Sequence, residues 1–407
     1  METGALAPPA QITIGDGTTD RELQRPTTSG RVDEVLLRRF EEEILSRMPH
    51  TEEGEVVNPT PLRDITAALK EGAASAYGLD LSGAEFRVFG KFEAEMLGGS
   101  IKARPAVRIL DDAIRSGRLR RGQAVFEVTS GNFGIALGPL TGMGVDVIAL
   151  VSSTLKERTV ERLRRAGVKT VDIDLDLRRG PSTAEDDPNV VAKAVASRIR
   201  PRLQEFGLDP AVLDSSMMEV EGRLALRDVI GLSKLLARGY GGFCPEQYDN
   251  ELNVAAHERG TAPEIDGQLR EFGLSLADVE VACTFGTGGT AGGLCRYLGR
   301  RYGRRSVHVV FPLGGQDVGG IRAREAARGL KFYEPGLYGG LHEADFREAR
   351  PLMRFMAAKG HDVGESSALA LYAALQMVSH GAKGDYVVLL PDGIEKYVGS
   401  LERGQDA

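Results

Sequence analysis

The chain of 407 residues carries 51 Lys and Arg against 58 Asp and Glu, which gives a formal net charge of -7. Nucleic-acid backbones bind basic surfaces, so this acidic balance argues against a nucleic-acid partner. The 3 cysteines and 6 scattered histidines predict neither a disulfide framework nor a metal centre. No signal peptide opens the chain and no apolar run is long enough to span a membrane, so we expect a cytoplasmic protein with no membrane partner.

The first half of the chain alternates between predicted strands and helices after a polar start. Residues 1–30 are rich in Pro, Gly, Thr and charge, and they predict a mobile tail. Apolar residues recur at helical spacing between Val32 and Met48, which predicts an amphipathic helix. Apolar runs then predict strands at Arg87–Glu93, Ala124–Val128, Asp146–Val151 and Lys169–Ile173. Helices are predicted between them at Pro105–Ser116, Phe133–Thr141 and Leu155–Ala166.

A second alternating set has predicted strands near Glu280, at Val307–Phe311 and at Tyr386–Leu390. Strands rich in Val and Ile that alternate with helices are typical of a mostly parallel sheet covered on both faces. The pattern and the chain length therefore predict an α/β protein with two lobes, each a mostly parallel twisted sheet flanked by helices. We expect a large domain from residues 31–104 and 250–407. Residues 105–249 would form a smaller, mobile domain with an insertion around 174–222.

Lys102 occupies a setting in which a lysine can act as a nucleophile. It follows a predicted strand and the turn Leu97–Ser100, and Pro105 suits the first turn of the helix that comes next. Ligands bind at such strand-to-helix junctions of parallel sheets, and the two glycines of the turn let a planar group approach the backbone. Partial desolvation there lowers the pKa of a lysine, and the neutral amine can form a Schiff base. The alternative interpretation is an ordinary solvated surface lysine.

The segment Thr129–Gly134, with the sequence TSGNFG, ends a predicted strand and begins a helix. Ser130 and Asn132 can simply cap that helix, an interpretation that needs no ligand. The backbone amides and the positive end of the helix also form an anion site. In that second interpretation Thr129 and Ser130 donate to a substrate carboxylate, and Asn132 donates to the ring oxygen of a cofactor.

A loop of glycine and threonine follows the predicted strand near Glu280 and precedes a helix. Its residues are Gly286, Thr287, Gly288, Gly289 and Thr290. The backbone amides and two hydroxyls can cradle a phosphate. The loop also satisfies the dinucleotide-binding pattern, with Ala291 as its last position. However, the next strand ends without an acidic residue for a ribose, and a dehydrogenase gives Lys102 and Asn132 no role. The three segments together therefore indicate one monophosphate cofactor, pyridoxal phosphate.

In order and spacing, these segments resemble the cysteine synthase and cystathionine β-synthase family, the β-type pyridoxal-phosphate enzymes of fold type II (tryptophan synthase β-like). The resemblance runs from about Asn58 to Ser400, and residues 174–222 are the main stretch without a match. Four further motifs support it: Asn58–Leu62 (NPTPL), Gln247–Asn250 (QYDN), Gly364–Ser367 (GESS) and Pro391–Tyr397 (PDGIEKY).

The resemblance implies a role for each candidate residue. Lys102 would form the Schiff base with the cofactor and then serve as the base at the substrate α-carbon. Asn132 would contact the ring hydroxyl, and the loop from Gly286 to Thr290 would hold the phosphate in the larger domain. The substrate carboxylate would be bound by Thr129, Ser130 and Gln247. Closure of the smaller domain would then protect the reacting substrate from water.

Three departures from the family pattern bear on the substrate. Phe133 stands where threonine is common, so an apolar wall replaces a hydroxyl beside the carboxylate. Gly393 stands where serine is common, which predicts that the pyridine nitrogen lacks its usual hydroxyl partner and favours β-elimination and replacement. The segment Gly314–Arg322 replaces the usual loop near the β-substituent. There Gln316 and Arg322 could recognise a polar or anionic group, although Arg322 could equally begin a surface helix.

The resemblance implies β-replacement on an activated L-serine, either O-acetylserine or O-phosphoserine, through an aminoacrylate. A sulfur nucleophile would give cysteine or an S-substituted cysteine. An amine nucleophile would give a 2,3-diaminopropionate-type product instead, and a serine or threonine dehydratase is a third interpretation. A non-catalytic binding relative is disfavoured, because Lys102, Asn132 and the phosphate loop are all retained. The family also leads us to expect a homodimer.

Overall fold

The computed structural model describes residues 30–52, 55–152, 155–173 and 188–397. The predicted tail, apart from residue 30, and residues 174–187 of the predicted insertion lie outside the described residues. The strands of the described part are β1 (His50–Glu52), β2 (Glu55–Val57), β3 (Leu62–Asp64), β4 (Val88–Phe92), β5 (Ala124–Val128), β6 (Asp146–Val151), β7 (Lys169–Asp172), β8 (Val279–Thr284), β9 (Val307–Pro312), β10 (Gly340–Ala344) and β11 (Asp385–Leu390).

The helices are α1 (Glu34–Glu43), α2 (Thr66–Tyr77), α3 (Ala103–Arg115), α4 (Asn132–Leu137), α5 (Glu157–Arg165), α6 (Pro188–Glu205), α7 (Pro210–Ser215), α8 (Met217–Ala225), α9 (Val229–Gly239), α10 (Glu251–Ala256), α11 (Ala262–Leu269), α12 (Gly289–Tyr302), α13 (Arg324–Ala327), α14 (Phe346–Ala358) and α15 (Glu365–Ser379). A π-helical turn, His257–Thr261, joins α10 to α11. Among the described residues, none of these helices combines the length and the apolar character that a membrane span requires.

Two mostly parallel sheets and one small hairpin organise the strands. The larger sheet has the order β10-β9-β8-β11-β4-β3, and its neighbours are parallel except for the antiparallel pair β3 and β4. The smaller sheet is the parallel set β5-β6-β7. Strands β1 and β2 pair antiparallel as the hairpin. Parallel strands bring their carboxyl ends to one edge, so the loops that follow β4, β8 and β11 come together there.

Helices cover both faces of both sheets. On the larger sheet, α2, α14 and α15 bury one face, and α11 and α12 bury the other. On the smaller sheet, α1, α3 and α4 contribute to one apolar cluster, while α6, α8 and α9 contribute to the other. Strands enclosed on both sides must be apolar throughout, and β5 is buried at every position. The predicted α/β class with mostly parallel, helix-flanked sheets is confirmed.

The sequence predicted the buried strands better than the helix ends and edge strands. β5 and β6 have the predicted bounds. The helix predicted over Phe133–Thr141 instead ends as α4 at Leu137, and the chain continues as a 3-10 turn, Gly138–Met143, that contains Pro139. Proline lacks the amide that would continue an α-helix. The edge strand β10 was not predicted, because most of its residues are only half-buried and it carries no apolar run. The exact domain boundaries stay a prediction.

Candidate active site

A cavity lies where strands of both sheets end. The residues that line it are Ile101, Lys102, Ser130, Asn132, Phe133, Gln247, Thr284, Gly286, Thr287, Gly288, Thr290, Ala291, Gly319, Gly320, Ile321, Ser366, Pro391 and Asp392. Of the residues predicted to hold the cofactor or to surround the substrate carboxylate, this lining includes all except Thr129 and Gly289. Residues as distant in sequence as Lys102 and Asp392 therefore line one cavity. The cavity brings together the lysine segment, the asparagine turn and the phosphate loop, which the sequence analysis assigned to one cofactor.

Lys102 is an amine without a counter-ion in this cavity. Among the described residues its side-chain nitrogen Nζ has no hydrogen-bond or ion-pair partner. The pKa of Lys102 is lowered to about 8, mainly by burial and to a lesser extent by the cation of Arg322, while the carboxylate of Asp392 opposes both effects. An amine with this pKa is partly neutral near physiological pH, and only a neutral amine can attack a carbonyl carbon.

Gly286 brings the phosphate loop against Lys102. A Cβ atom at Gly286 would lie 3.4 Å from Lys102 Nζ and 2.8 Å from the carbonyl oxygen of Gly320. Only glycine leaves this space open, so a flat group joined to Lys102 can reach the loop amides. A ligand with a carbonyl group and a phosphate needs a reactive amine for the first and open backbone amides for the second. Lys102 and the loop at Gly286 provide these two groups side by side. The residues present therefore fit pyridoxal phosphate.

The phosphate loop is held in place by its own threonine and a buried asparagine. Gly288 has a φ of 91°, and α12 begins at the next residue with its amides facing the loop. Thr287 Oγ1 accepts hydrogen bonds from the Gly289 amide at 3.3 Å and from Asn253 Nδ2 at 2.9 Å. Gly289 does not line the cavity, because it packs on Asn253, whose Oδ1 would lie 2.0 Å from a Cβ atom there. Its predicted phosphate contact is therefore limited to its backbone.

The asparagine turn caps α4 through Thr129, and another part of the turn lines the cavity. Thr129 is buried outside the cavity, and its Oγ1 accepts hydrogen bonds from the amides of Gly131 at 3.0 Å and Gly134 at 3.1 Å. Its hydroxyl oxygen therefore caps α4, and the structure does not place it at the cavity for a substrate carboxylate. Ser130 does line the cavity. Phe133, 2 % exposed, supplies the predicted apolar wall.

Both polar atoms of the Asn132 side-chain amide form hydrogen bonds. Its Nδ2 donates to Asp392 Oδ2 at 2.8 Å, and its Oδ1 accepts from Lys396 Nζ at 3.0 Å. The same Nζ donates to the carbonyl oxygen of Gly99 at 2.5 Å, in the turn before Lys102. Burial lowers the pKa of Lys396 to about 8 against the opposing charge of Asp392. Lys396 thus joins the lysine turn, the asparagine turn and the segment after β11.

Gly393, at which the sequence predicted a missing hydroxyl partner for the pyridine nitrogen, lies away from the cavity lining. A Cβ atom at Gly393 would lie 2.1 to 2.4 Å from the carboxylate atoms of Asp362, so a side chain there would meet Asp362. Gly393 does not line the cavity, whereas Ser366 does. Ser366 belongs to the GESS motif, so the sequence contained the signal, although it assigned the motif no role. A hydroxyl therefore remains available to the cavity.

The two candidate recognition residues of the loop Gly314–Arg322 have different hydrogen-bond partners. Gln316 is committed to the start of α14, because its Nε2 donates to Asp345 Oδ1 at 2.5 Å and its Oε1 accepts from the Phe346 amide at 2.8 Å. Arg322 instead donates from Nη2 to Tyr248 Oη at 2.9 Å. Arg322 does not begin a helix, since α13 starts at Arg324.

A buried ionic cluster lies under the start of α3. Arg104 donates to Glu93 Oε2 at 2.7 Å and to Glu264 Oε2 at 2.7 Å, and Lys91 Nζ lies 2.5 Å from Glu264 Oε1. All four side chains are at most 4 % exposed. No local sequence pattern predicts this cluster, because its members come from β4, α3, α11 and the turn after β4. The cluster fixes the helix that begins directly after Lys102.

Comparison with known proteins agrees with this geometry. Residues 57–392 match the family described as pyridoxal-phosphate dependent enzyme. The chain belongs to this pyridoxal-phosphate dependent enzyme family. The predicted cofactor and the predicted class of β-substitution enzyme are thereby confirmed.

Within the family, the chain is similar to cysteine synthases. The chain is 26 % identical over 356 residues to the cysteine synthase of Staphylococcus aureus (strain Mu50 / ATCC 700699), a match that covers 84 % of this chain and 94 % of that protein. It is 26 % identical over 391 residues to cysteine synthase 1 of Emericella nidulans, with 83 % and 91 % covered.

Solved structures show the same fold. An O-ureido-L-serine synthase has a TM-score of 0.61 at 23 % identity, with 85 % of this chain and 93 % of that chain covered. An O-acetylserine dependent cystathionine beta-synthase from Helicobacter pylori has a TM-score of 0.59 at 21 % identity, with 84 % and 94 % covered. The predicted family and fold type II are confirmed.

Proposed function

We propose that the protein catalyses β-replacement on an activated L-serine, O-acetylserine or O-phosphoserine, with a sulfur nucleophile that yields cysteine or an S-substituted cysteine. The observation that carries the proposal is the position of Lys102, whose amine lies beside the Gly286 cradle in a cavity also lined by Ser130 and Gln247. Similarity to curated cysteine synthases over 84 % of the chain supports the reaction class.

Pyridoxal phosphate, when bound, supplies a conjugated system that accepts electrons from the substrate α-carbon. Lys102 would hold its carbonyl carbon, the loop Gly286–Thr290 its phosphate, and Asn132 its ring oxygen. Ser366 lines the same cavity and would supply a hydroxyl group to the ring nitrogen. Asn132 is well suited to a fixed contact, because Asp392 and Lys396 already determine the orientation of its amide.

Lys102 would move the proton in this reaction. Its lowered pKa allows the amine to take the proton from the α-carbon near neutral pH and to return it after the new bond has formed. Ser130 and the amides at the start of α4 would bind the substrate carboxylate, together with Gln247. Phe133 would exclude water from the side of the cavity where threonine is common in the family.

Arg322 favours an anionic group on the β-carbon side. Its guanidinium lies 4.9 Å from the centre of the Tyr248 ring, and Tyr248 directly follows Gln247 of the cavity lining. In the described part of the chain, no carboxylate forms an ion pair with Arg322. A half-buried cation without a counter-ion, close enough to lower the pKa of Lys102, binds an anion favourably. This supports O-phosphoserine as the preferred activated serine.

The products decide between the proposal and its alternatives. The holoenzyme would be incubated with O-acetylserine or O-phosphoserine alone, then with sulfide, thiosulfate or an amine. Cysteine or an S-substituted cysteine that forms only when the sulfur nucleophile is present supports the proposal. A 2,3-diaminopropionate-type product would identify an amine nucleophile, and pyruvate without any nucleophile would identify a dehydratase. No release of acetate or phosphate from either serine derivative would reject the proposed substrate class.

Three further expectations accompany this proposal. A homodimer and a cytoplasmic location stay predictions, and so does the closure of residues 105–249 over the substrate. The oligomeric state is tested by sedimentation of the holoenzyme, for which a single species of twice the chain mass is expected. Domain closure is tested by small-angle scattering of the holoenzyme with and without an unreactive amino acid, for which a smaller radius is expected in the complex.

A further inference from the structure

Glu127 is a buried acid that touches the Gln247 turn. It lies on β5 and is 3 % exposed. Its Oε1 accepts a hydrogen bond from Gln247 Nε2 at 3.2 Å, and its Oε2 accepts one from the Glu246 backbone amide at 3.2 Å. Glu127 therefore contacts both the backbone that leads to Gln247 and the Gln247 side chain itself.

The amide nitrogen of Gln247 has no spare donor. A side-chain amide carries two N–H groups. Glu127 accepts from this nitrogen, and so does the Val128 carbonyl oxygen at 3.0 Å. A substrate carboxylate that binds to Gln247 must therefore displace one of these two acceptors. The Val128 carbonyl is always neutral, whereas the Glu127 carboxyl can carry a charge. Only the hydrogen bond to Glu127 therefore changes in strength with pH.

The rest of the Gln247 turn is fixed. The Gln247 carbonyl oxygen accepts from Asn253 Nδ2 at 2.7 Å, and the same nitrogen donates to Thr287 Oγ1 at 2.9 Å in the phosphate loop. Asn253 is 1 % exposed. The backbone of the turn is thus tied to the cofactor side of the cavity, which leaves rotation of the Gln247 side chain as the available adjustment.

The surroundings of Glu127 keep its proton on near neutral pH. Burial raises the pKa of Glu127 to about 8, the hydrogen bonds from Gln247 and the Glu246 amide oppose this effect, and the Glu246 charge adds to it. The cation of Lys234 has a smaller opposing effect, and Lys234 is itself paired with Glu246 at 2.8 Å and Asp249 at 3.0 Å. Cys244 also faces Glu127, and burial raises the pKa of its thiol to about 12, so the thiol remains neutral.

We propose that Glu127 is a positioning residue for Gln247 and competes with the substrate α-carboxylate for the Gln247 amide. The inference rests on the proposed function, since it requires an amino-acid substrate in this cavity. An ionised Glu127 makes a charge-assisted hydrogen bond, roughly twice as strong as a neutral one. A protonated Glu127 holds the amide weakly, so the amide turns to the substrate.

This competition makes substrate binding depend on pH in one direction. The substrate binds the protonated form of Glu127 preferentially, and by linkage the bound substrate raises the pKa of Glu127. Binding near pH 8 is then accompanied by proton uptake at Glu127. Affinity falls as pH rises through the pKa of Glu127, because an increasing fraction of the enzyme has an ionised competitor.

Calorimetric titration of the holoenzyme with L-alanine tests the proposal, because L-alanine has the α-carboxylate but no leaving group. The matched variant is Glu127→Gln, which offers Gln247 a neutral acceptor of the same shape. We expect the ratio of Kd in the wild type to Kd in the variant to rise about tenfold between about pH 7 and pH 9, since Glu127 passes from roughly a tenth to nine tenths ionised. Ionisation of the ligand and of Lys102 affects both proteins and cancels in this ratio.

Two further measurements separate positioning from a merely structural role. In a Gln247→Ala background, the effect of Glu127→Gln on Kd should no longer depend on pH. The pH-difference infrared spectrum of the holoenzyme should contain a buried protonated carboxyl band that titrates near pH 8 and is missing in Glu127→Gln. A Kd ratio that stays constant with pH while L-alanine still binds would overturn the inference alone. Absence of L-alanine binding to both proteins would overturn the proposed function and the inference with it.

Discussion

Asn132 donates a hydrogen bond from Nδ2 to Asp392 Oδ2 at 2.8 Å, across 260 residues of sequence. This contact joins the turn after β5 of the smaller sheet to the segment after β11 of the larger sheet. The Asn132 side-chain oxygen Oδ1 accepts a second hydrogen bond, from Lys396 Nζ. The amide therefore has a fixed orientation before any ligand arrives, and preorganised groups of this kind lose little free energy when they bind.

Replacement of Lys396 by Met tests this orientation. The variant leaves Asn132 Oδ1 without its donor, and a buried group that loses its partner costs about 1–3 kcal/mol. We expect kcat/KM to fall on the order of tenfold and the visible absorbance of the bound cofactor to shift. Lys396→Arg should retain most activity. The control, Lys383→Met on the exposed surface, should behave like the wild type. Equal activity in all three variants would show that the orientation of Asn132 does not depend on Lys396.

The lowered pKa of Lys102 predicts how the apoenzyme takes up its cofactor. The attacking amine must be neutral, so the rate of uptake should rise about tenfold per pH unit below about pH 8 and level off above it. A stopped-flow record of cofactor absorbance measures this rate. If Lys102 had the ordinary pKa of an exposed lysine, the rate would keep rising to about pH 10, and that profile would contradict the role of burial at this site.

Arg322→Gln tests the anion site beside Tyr248. A hydrogen bond to a charged group contributes about 1.5–3 kcal/mol, so KM for O-phosphoserine should rise about 10- to 100-fold. KM for O-acetylserine, which carries no charge on its β-substituent, should change much less. Arg324→Gln, two residues along the chain, is the matched control. A similar loss for both substrates would instead place Arg322 at the cofactor phosphate, and affinity for pyridoxal phosphate would then fall as well.

The ionic cluster under α3 predicts a large effect on stability. Arg104→Met leaves the carboxylates of Glu93 and Glu264 buried without this cation, which costs about 3–5 kcal/mol. Arg63→Met, which breaks the exposed pair with Glu95, should cost at most about 1 kcal/mol. Chemical denaturation of the holoenzyme variants measures both free energies of unfolding. Equal losses in the two variants would show that burial of the cluster contributes nothing beyond a surface pair.

The sequence predicted the parts of the site that lie in local motifs. Lys102, Asn132 and Gly286 each follow a buried strand, and parallel strands bring such turns to the carboxyl-terminal edge of their own sheet. Contacts between distant segments left no local signal. Glu93 and Glu264 are acids in unremarkable sequence, and only the fold shows that both bind Arg104. The orientation of Gly393 also had no local signal, since a side chain at this position would point at Asp362, which lies 31 residues earlier in the chain.

The central claim is that Lys102 carries pyridoxal phosphate, and one measurement tests it most directly. Borohydride reduction of the holoenzyme fixes the cofactor to its lysine, and peptide mass spectrometry then locates the modified residue. Lys396 is the natural competitor, because it is also buried and has a pKa lowered to about 8. Its Nζ also donates to Asn132, which lines the cavity. We expect the modification on Lys102 and its loss in Lys102→Ala. Modification of Lys396, or of no lysine, in the wild-type holoenzyme would contradict the account.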